Sequence, residues 1–316
     1  MTGALLVAGV LLLVSGCARE PSSDSSITSI SGESTTTTSN VSTSTTTLNT
    51  TAVATTSTTT AATTTAAATT TAATTVPRED IVISVFLTRG EHVALVDRTV
   101  TFTVATSHAA LTELLAGPTA EEQQLGLTTA IPEGSTLIDV TLSSTGTATV
   151  DLSAEFESGG GSLSMIVRLA QVVYTMTQFP TVSNVVLAID GVPSTVFGSE
   201  GLVIDHAMTR ADFEDVTPAI LVEGPAPFED VGTNVRVHGT ANVFEAQFMV
   251  RLTDADGRVL YEQLQMATSG TGTRGTFDFT IDASEATSGT GSLRLWEPSA
   301  RDGTDTNIVE IPVRLG

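Results

Sequence analysis

Residues 111–126 read LTELLAGPTAEEQQLG, two short helices with their punctuation between them. Leu111, Leu114 and Leu115 share one helix face at i, i+3, i+4. Gly117-Pro118 then stops that helix, because Gly supplies a left-handed cap and Pro cannot continue the turn. Thr119 and Glu122 stand three apart, the spacing of a capping box, so a second helix starts there and ends near Gly126.

Strands lie on both sides of this pair. Ile81–Leu87 is an apolar run, and Val100, Phe102 and Val104 alternate with Thr over Thr99–Val104, so both read as strands. Leu137–Leu142 and Thr147–Leu152 read as a hairpin around Ser143-Ser144-Thr145-Gly146. After Gly159-Gly160-Gly161, an amphipathic helix carries Leu163, Ile166, Ala170, Val173 and Thr177 on one stripe and ends at Pro180. Val185–Ile189 is a buried-strand run closed by Asp190-Gly191. Strands interspersed with helices predict an α+β unit.

From Pro218 onward the pattern changes to all-β. Asn234–His238, Ala246–Leu252, Val259–Leu264, Thr276–Ile281, Ser292–Trp296 and Ile308–Arg314 alternate between Gly, Asp and Ser clusters, and Ala219–Glu223 offers a seventh strand. That is the pattern of a β-sandwich. Asp256-Gly257 predicts a type I′ hairpin turn, and Trp296, the one Trp of the chain, is expected in the core together with Phe244.

The N-terminal quarter has another character. Ala4–Val14 is an apolar run of 11 residues, too short to span about 30 Å of hydrocarbon as a helix. It ends at Val14-Ser15-Gly16-Cys17, which resembles a bacterial lipobox, and that resemblance implies cleavage before Cys17 and lipid on its sulfur. No Lys or Arg lies between Met1 and Ala4, a departure from the usual positively charged leader. Two acyl chains, at about 0.8 kcal/mol per buried methylene, give stable anchoring. Residues 22–75 are nearly all Thr, Ser and Ala with no aromatic residue, a composition that cannot offset the entropy of ordering. They are expected to form a disordered tether, spanning roughly 40 Å as a flexible coil. The expected organisation is therefore a signal peptide over 1–17, a linker over 18–79, the α+β domain over 80–215 and the sandwich over 216–316.

The chain has 13 basic residues, all Arg, against 35 acidic ones, a net charge of −22. Residues 80–316 hold 31 of the acids and 11 of the arginines, a formal −20. Such a field repels phosphate backbones, which argues against nucleic-acid binding. The lone Cys leaves the cores without an intrachain disulfide.

Chemistry-bearing motifs are weak. Gly270–Gly275 spells GxGxxG, but the alternating Phe277–Ile281 that follows is a strand where a dinucleotide site needs a helix. Asp254 and Asp256 lack the further ligands of a calcium loop. His92, His108, His206 and His238 are dispersed, without zinc-site spacing. No GxSxG elbow occurs, and Asp139, Asp151 and Asp190 read as ordinary strand-end and turn carboxylates. No enzyme, cofactor or metal is expected.

Six motifs carry a family resemblance: Leu114–Thr119, Gly126-Leu127, Thr129–Pro132, Ala148–Ser153, Ala170–Thr175 and Thr177–Pro180. In their order and spacing they are similar to the GerMN domain of sporulation and spore-germination lipoproteins, over roughly Ile81 to Asp215, with Thr209–Phe213 similar to its closing segment. Gly239–Ala246, Asp256-Gly257 and Glu297–Gly303 resemble the immunoglobulin-like domain of bacterial spore germination. The resemblance implies a non-enzymatic envelope lipoprotein that binds envelope proteins or, alternatively, cell-wall glycan, moored to the outer face of the cell membrane through Cys17. Glu245 has no evident structural task and is the candidate partner contact.

Overall fold

The computed structural model describes residues 79–316; the leader, Cys17 and the Thr-rich linker lie outside the described residues. The first module opens with a hairpin of β1 (Ile81–Arg89) and β2 (His92–Val100), turned at Gly90 with φ +62°. Helix α1 (Thr106–Leu115) follows and closes on Gly117, at φ +73°, whose N–H bonds the Leu114 carbonyl. In α2 (Ala120–Gln124) both arms of the capping box are formed, Glu122 N–H to Thr119 Oγ1 at 3.2 Å and Thr119 N–H to Glu122 Oε2 at 2.7 Å. β3 (Leu137–Leu142) and β4 (Thr147–Leu152) pair antiparallel, and helix α3 (Ser162–Met176) crosses over to β5 (Asn184–Ile189), which lies parallel to β4.

Two expectations for this module are corrected. Thr101–Val104 is not strand, and Phe102 and Val104 are exposed. The reason is register: Val100 pairs with Ile81, where β1 begins, so the β1–β2 ladder ends there. The missed strand, β2, lies just before it and buries Val93, Leu95 and Val96. Helix α3 does not expose a polar face either. From Val167 to Met176 every residue is buried, whereas Leu163 of the expected stripe is exposed. Burial of this helix on all sides requires its polar side chains to be paired inside. Gln171 does so by donating to the Phe86 carbonyl and accepting from the Ala130 N–H.

Arg168, 2% exposed, sits in the same core with no carboxylate beside it. Its guanidinium donates to the carbonyls of Ala130, Phe156 and Gly159 at 3.0, 2.5 and 3.1 Å. The rings of Phe156 and Phe197 lie 5.8 and 5.9 Å from it. One cation thereby ties two stretches, at 130 and at 156–159, to α3.

The second module is a sandwich. One sheet orders β6 (Ile220–Gly224), β7 (Asn234–Ala241) and β10 (Gly275–Asp282). The other places the short strand Asp230–Val231, then β12 (Asp305–Leu315), β11 (Gly289–Pro298), β8 (Gln247–Thr253) and β9 (Val259–Met266) side by side. Val235, Val237, Phe248, Val250, Leu252, Leu293 and Leu295 alternate inward to form its core. Trp296 does not join them. Leu293 and Leu295 occupy the inward positions of β11, so alternation turns Trp296 to the outer face, where Arg251 and Arg294 cover it at 5.2 and 5.0 Å.

Asp256-Gly257 does turn a hairpin, but not a type I′ one: Gly257 has φ +78° and Asp256 is not in the left-handed region. Asp254 organises the loop, its Oδ1 accepting from the Asp256 and Arg258 N–H groups and its Oδ2 from Thr287 N–H. The described residues belong to one compact unit, and the two cores meet at 220–226. There Leu221 and Ala226 pack with the first core and Ile220 and Val222 with the second. No helix among the described residues is long and apolar enough to cross a membrane.

Candidate functional site

Three loops converge at one end of the sandwich: the link between β7 and β8 (242–246), the link before β10 (267–274) and the link between β11 and β12 (299–304), with the strand residues beside it. The first holds Glu245 at φ +53° and Ala246 at φ +60°, the second Thr271 at φ +53°, and Asn307 in β12 has φ +50°. Side chains with a Cβ avoid this region at a cost of about 1–2 kcal/mol each, so the surroundings must hold these residues in place.

The restraints are visible. The Phe244 N–H donates to Glu297 Oε1 at 2.7 Å, and the other oxygen of Glu297 accepts from the Asn307 amide at 2.6 Å. Glu245 N–H donates to Thr271 Oγ1 at 2.9 Å, and Thr271 N–H to the Val243 carbonyl at 2.9 Å. Gly270 explains the GxGxxG spelling: a Cβ there would stand 2.5 Å from the Ala246 nitrogen and the Val243 oxygen. The glycine serves close backbone approach, and the segment after Gly275 is strand β10.

What this frame presents is Phe244 and Glu245. Val243 and Ala246 take the buried positions, so Phe244, expected in the core, is instead 50% exposed. Glu245 is exposed, and among the described residues no hydrogen bond or ion pair engages its carboxylate. The loop is also tied to the first module. Asn242 donates to Glu214 Oε1 at 2.7 Å and accepts from Gly272 N–H at 2.9 Å. Glu214 in turn receives Arg274 at both oxygens, Nε to Oε2 at 2.8 Å and Nη2 to Oε1 at 3.0 Å. Arg274 first, and Asn242 after it, hold the Glu214 carboxyl below the usual glutamate range. Nearby, Arg210 pairs with Glu223 and stacks over Tyr174 at 4.7 Å.

The other titratable candidates lie away from this loop. Asp139 stands opposite Asp151 in the β3–β4 pair, and Asp151 Oδ1 accepts from the Gly191 N–H at 2.9 Å, bracing the turn that contains Asp190. His206 lies between Asp205 and Asp212, which raise its pKa. His108 is on α1, His92 begins β2, and His238 faces Asp278 across β7 and β10.

Sequence reasoning singled out Glu245 but missed Asn242, Thr271 and Glu297 as its supports. Their signal is distance in the chain: Phe244 and Glu297 are 53 residues apart, and only sheet register brings them together.

Residues 86–195 match the family described as sporulation and spore germination, and residues 219–304 match the immunoglobulin-like domain of bacterial spore germination. The first GerMN domain of the sporulation protein GerM from Bacillus subtilis is 24% identical; the match covers 42% of this chain and 99% of that one, with a TM-score of 0.37. The tandem GerMN domains of GerM are 20% identical, covering 65% of this chain and 62% of that one, with a TM-score of 0.38. No curated protein matches the sequence. The chain thus joins a domain of the sporulation and spore germination family to an immunoglobulin-like domain of bacterial spore germination.

Proposed function

We propose that this protein is a non-enzymatic binding and assembly component of the cell envelope, moored through lipid on Cys17 and displaying its two modules on the extracytoplasmic side. The observation that carries the binding role is the strained 242–246 loop, which holds a half-exposed Phe244 beside the unengaged carboxylate of Glu245. The left-handed residues seat Val243 and Ala246 in the core but turn Phe244 and Glu245 outward, a display that is accounted for when these two side chains meet a partner. An aromatic ring next to a carboxylate suits a protein surface with an apolar pocket bordered by Arg or Lys. The anchoring part rests on the leader and the Val14–Cys17 lipobox. Wall glycan is less well supported as the ligand, since Trp296, the aromatic platform such a site would use, is 5% exposed beneath two arginines.

Crosslinking in cells, followed by recovery from membranes, tests the reading. Envelope proteins should be captured with the full chain. Cys17→Ser should release the chain from the membrane fraction. Recovery of no protein partner, together with co-sedimentation with purified sacculi, would favour glycan and sink the assembly role.

A further inference from the structure

A cleft of about 200 Å³ lies where the two modules meet, away from the Phe244 loop. Its walls include Val93 and Leu95 of β2, Ile220 and Val222 of β6, Pro225, and Ile311 of β12. Arg89 and His92, the two residues at the foot of the β1–β2 hairpin, also line it, and no carboxylate does. In a chain with 35 acidic residues that absence is informative.

Eight of the described arginines hold a carboxylate in an ion pair, and Arg168 is taken up by carbonyls. Among the described residues Arg89 has neither kind of partner. Burial lowers its pKa with no neighbouring carboxylate to oppose the effect. A partly desolvated guanidinium at the edge of an apolar hollow is a donor fork awaiting an anion, and its planar geometry matches a carboxylate.

We propose that this cleft binds a small amphiphilic carboxylate, its hydrocarbon part between Leu95, Ile220 and Val222 and its head on Arg89. Size sets the class: a dry cavity of about 150 Å³ holds benzene, so this one admits a body of about six to eight carbons. The acidic surface elsewhere does not prevent it, because charges beyond about 8 Å are screened at physiological salt. Glu310 borders the adjoining shallow groove together with Arg89, but it lies outside the cleft lining.

Calorimetric titration of the full exported chain with octanoate, 1-octanol and octylammonium tests the assignment. Octanoate should bind saturably at one site, 1-octanol at least about tenfold more weakly and octylammonium not at all, in line with the worth of a charge-assisted bond. Arg89→Gln should weaken octanoate by at least about tenfold while leaving thermal unfolding unchanged, since Arg89 stands at the edge of the cleft and holds no ion pair that folding would lose. Arg301→Gln, which removes another cation without an ion pair but outside the cleft lining, should leave octanoate binding as it was. The proposal is overturned if octanoate fails to bind, if 1-octanol binds as tightly, or if Arg89→Gln binds as the parent does.

Discussion

Helix α3 and the 242–246 loop handle awkward groups in opposite ways. In α3 every polar burden is settled inside: Arg168 finds three carbonyls and Gln171 joins two segments. In the loop the hydrogen bonds hold the backbone, while the side chains they position, Phe244 and Glu245, face solvent. The first region is explained by folding. The second is held in a left-handed conformation that seats Val243 and Ala246 in the core yet turns Phe244 and Glu245 outward, and it is on this display that the proposed binding role rests.

The comparison can be broken most forcefully at Arg168. Arg168→Met removes the donors of three loop carbonyls from a buried site, and equilibrium unfolding in denaturant should show a loss of about 3 kcal/mol or more. A loss below about 1 kcal/mol would mean that α3 is not the clamp described. In the loop the sign should reverse. Glu245→Gly relieves a left-handed conformation and should leave stability equal or raise it by up to about 1 kcal/mol, while partner capture falls. Clear destabilisation would show that Glu245 has a structural task.

The seam gives a pH test. The Glu214 carboxyl lies below its usual range through Arg274 and Asn242, so its contribution is present above the unfolded value of about 4.3 and is lost as pH falls through the lower folded value. Because Glu214 is more than a third exposed, Glu214→Gln should cost at most about 1 kcal/mol near neutral pH. It should also flatten the stability profile below about pH 4.3; an unchanged profile would remove Glu214 from the clamp. The smallest effect is expected for Phe244→Ala, within about 0.5 kcal/mol of the parent in thermal unfolding because half the ring is already in water.

What the sequence made legible follows from how local each feature is. The Thr119–Glu122 capping box, the Gly117 stop, the β3–β4 hairpin and the sandwich strands are set by neighbours in the chain, and each appears where its residues place it. Thr101–Val104 and Trp296 misled because alternation gives a period but not a pairing partner or a choice of face. Arg168 read as an ordinary helix cation, since nothing nearby in sequence announces the carbonyls of Ala130 and Phe156. Glu245 could be named only because it lacked an evident structural task; the strain at 245, 246 and 271 becomes visible when β8, β10 and β11 bring distant residues into contact.

The central claim is tested most directly by placing a photo-crosslinking residue, p-benzoylphenylalanine, at position 244 in cells, with the exposed Val82 on β1 as the control. The account predicts light-dependent adducts with envelope proteins from position 244, absent from position 82 although Val82 is the more exposed of the two, and diminished by Glu245→Gly. Equal adducts at both positions, or none at 244 from a chain that folds and reaches the membrane, would contradict it.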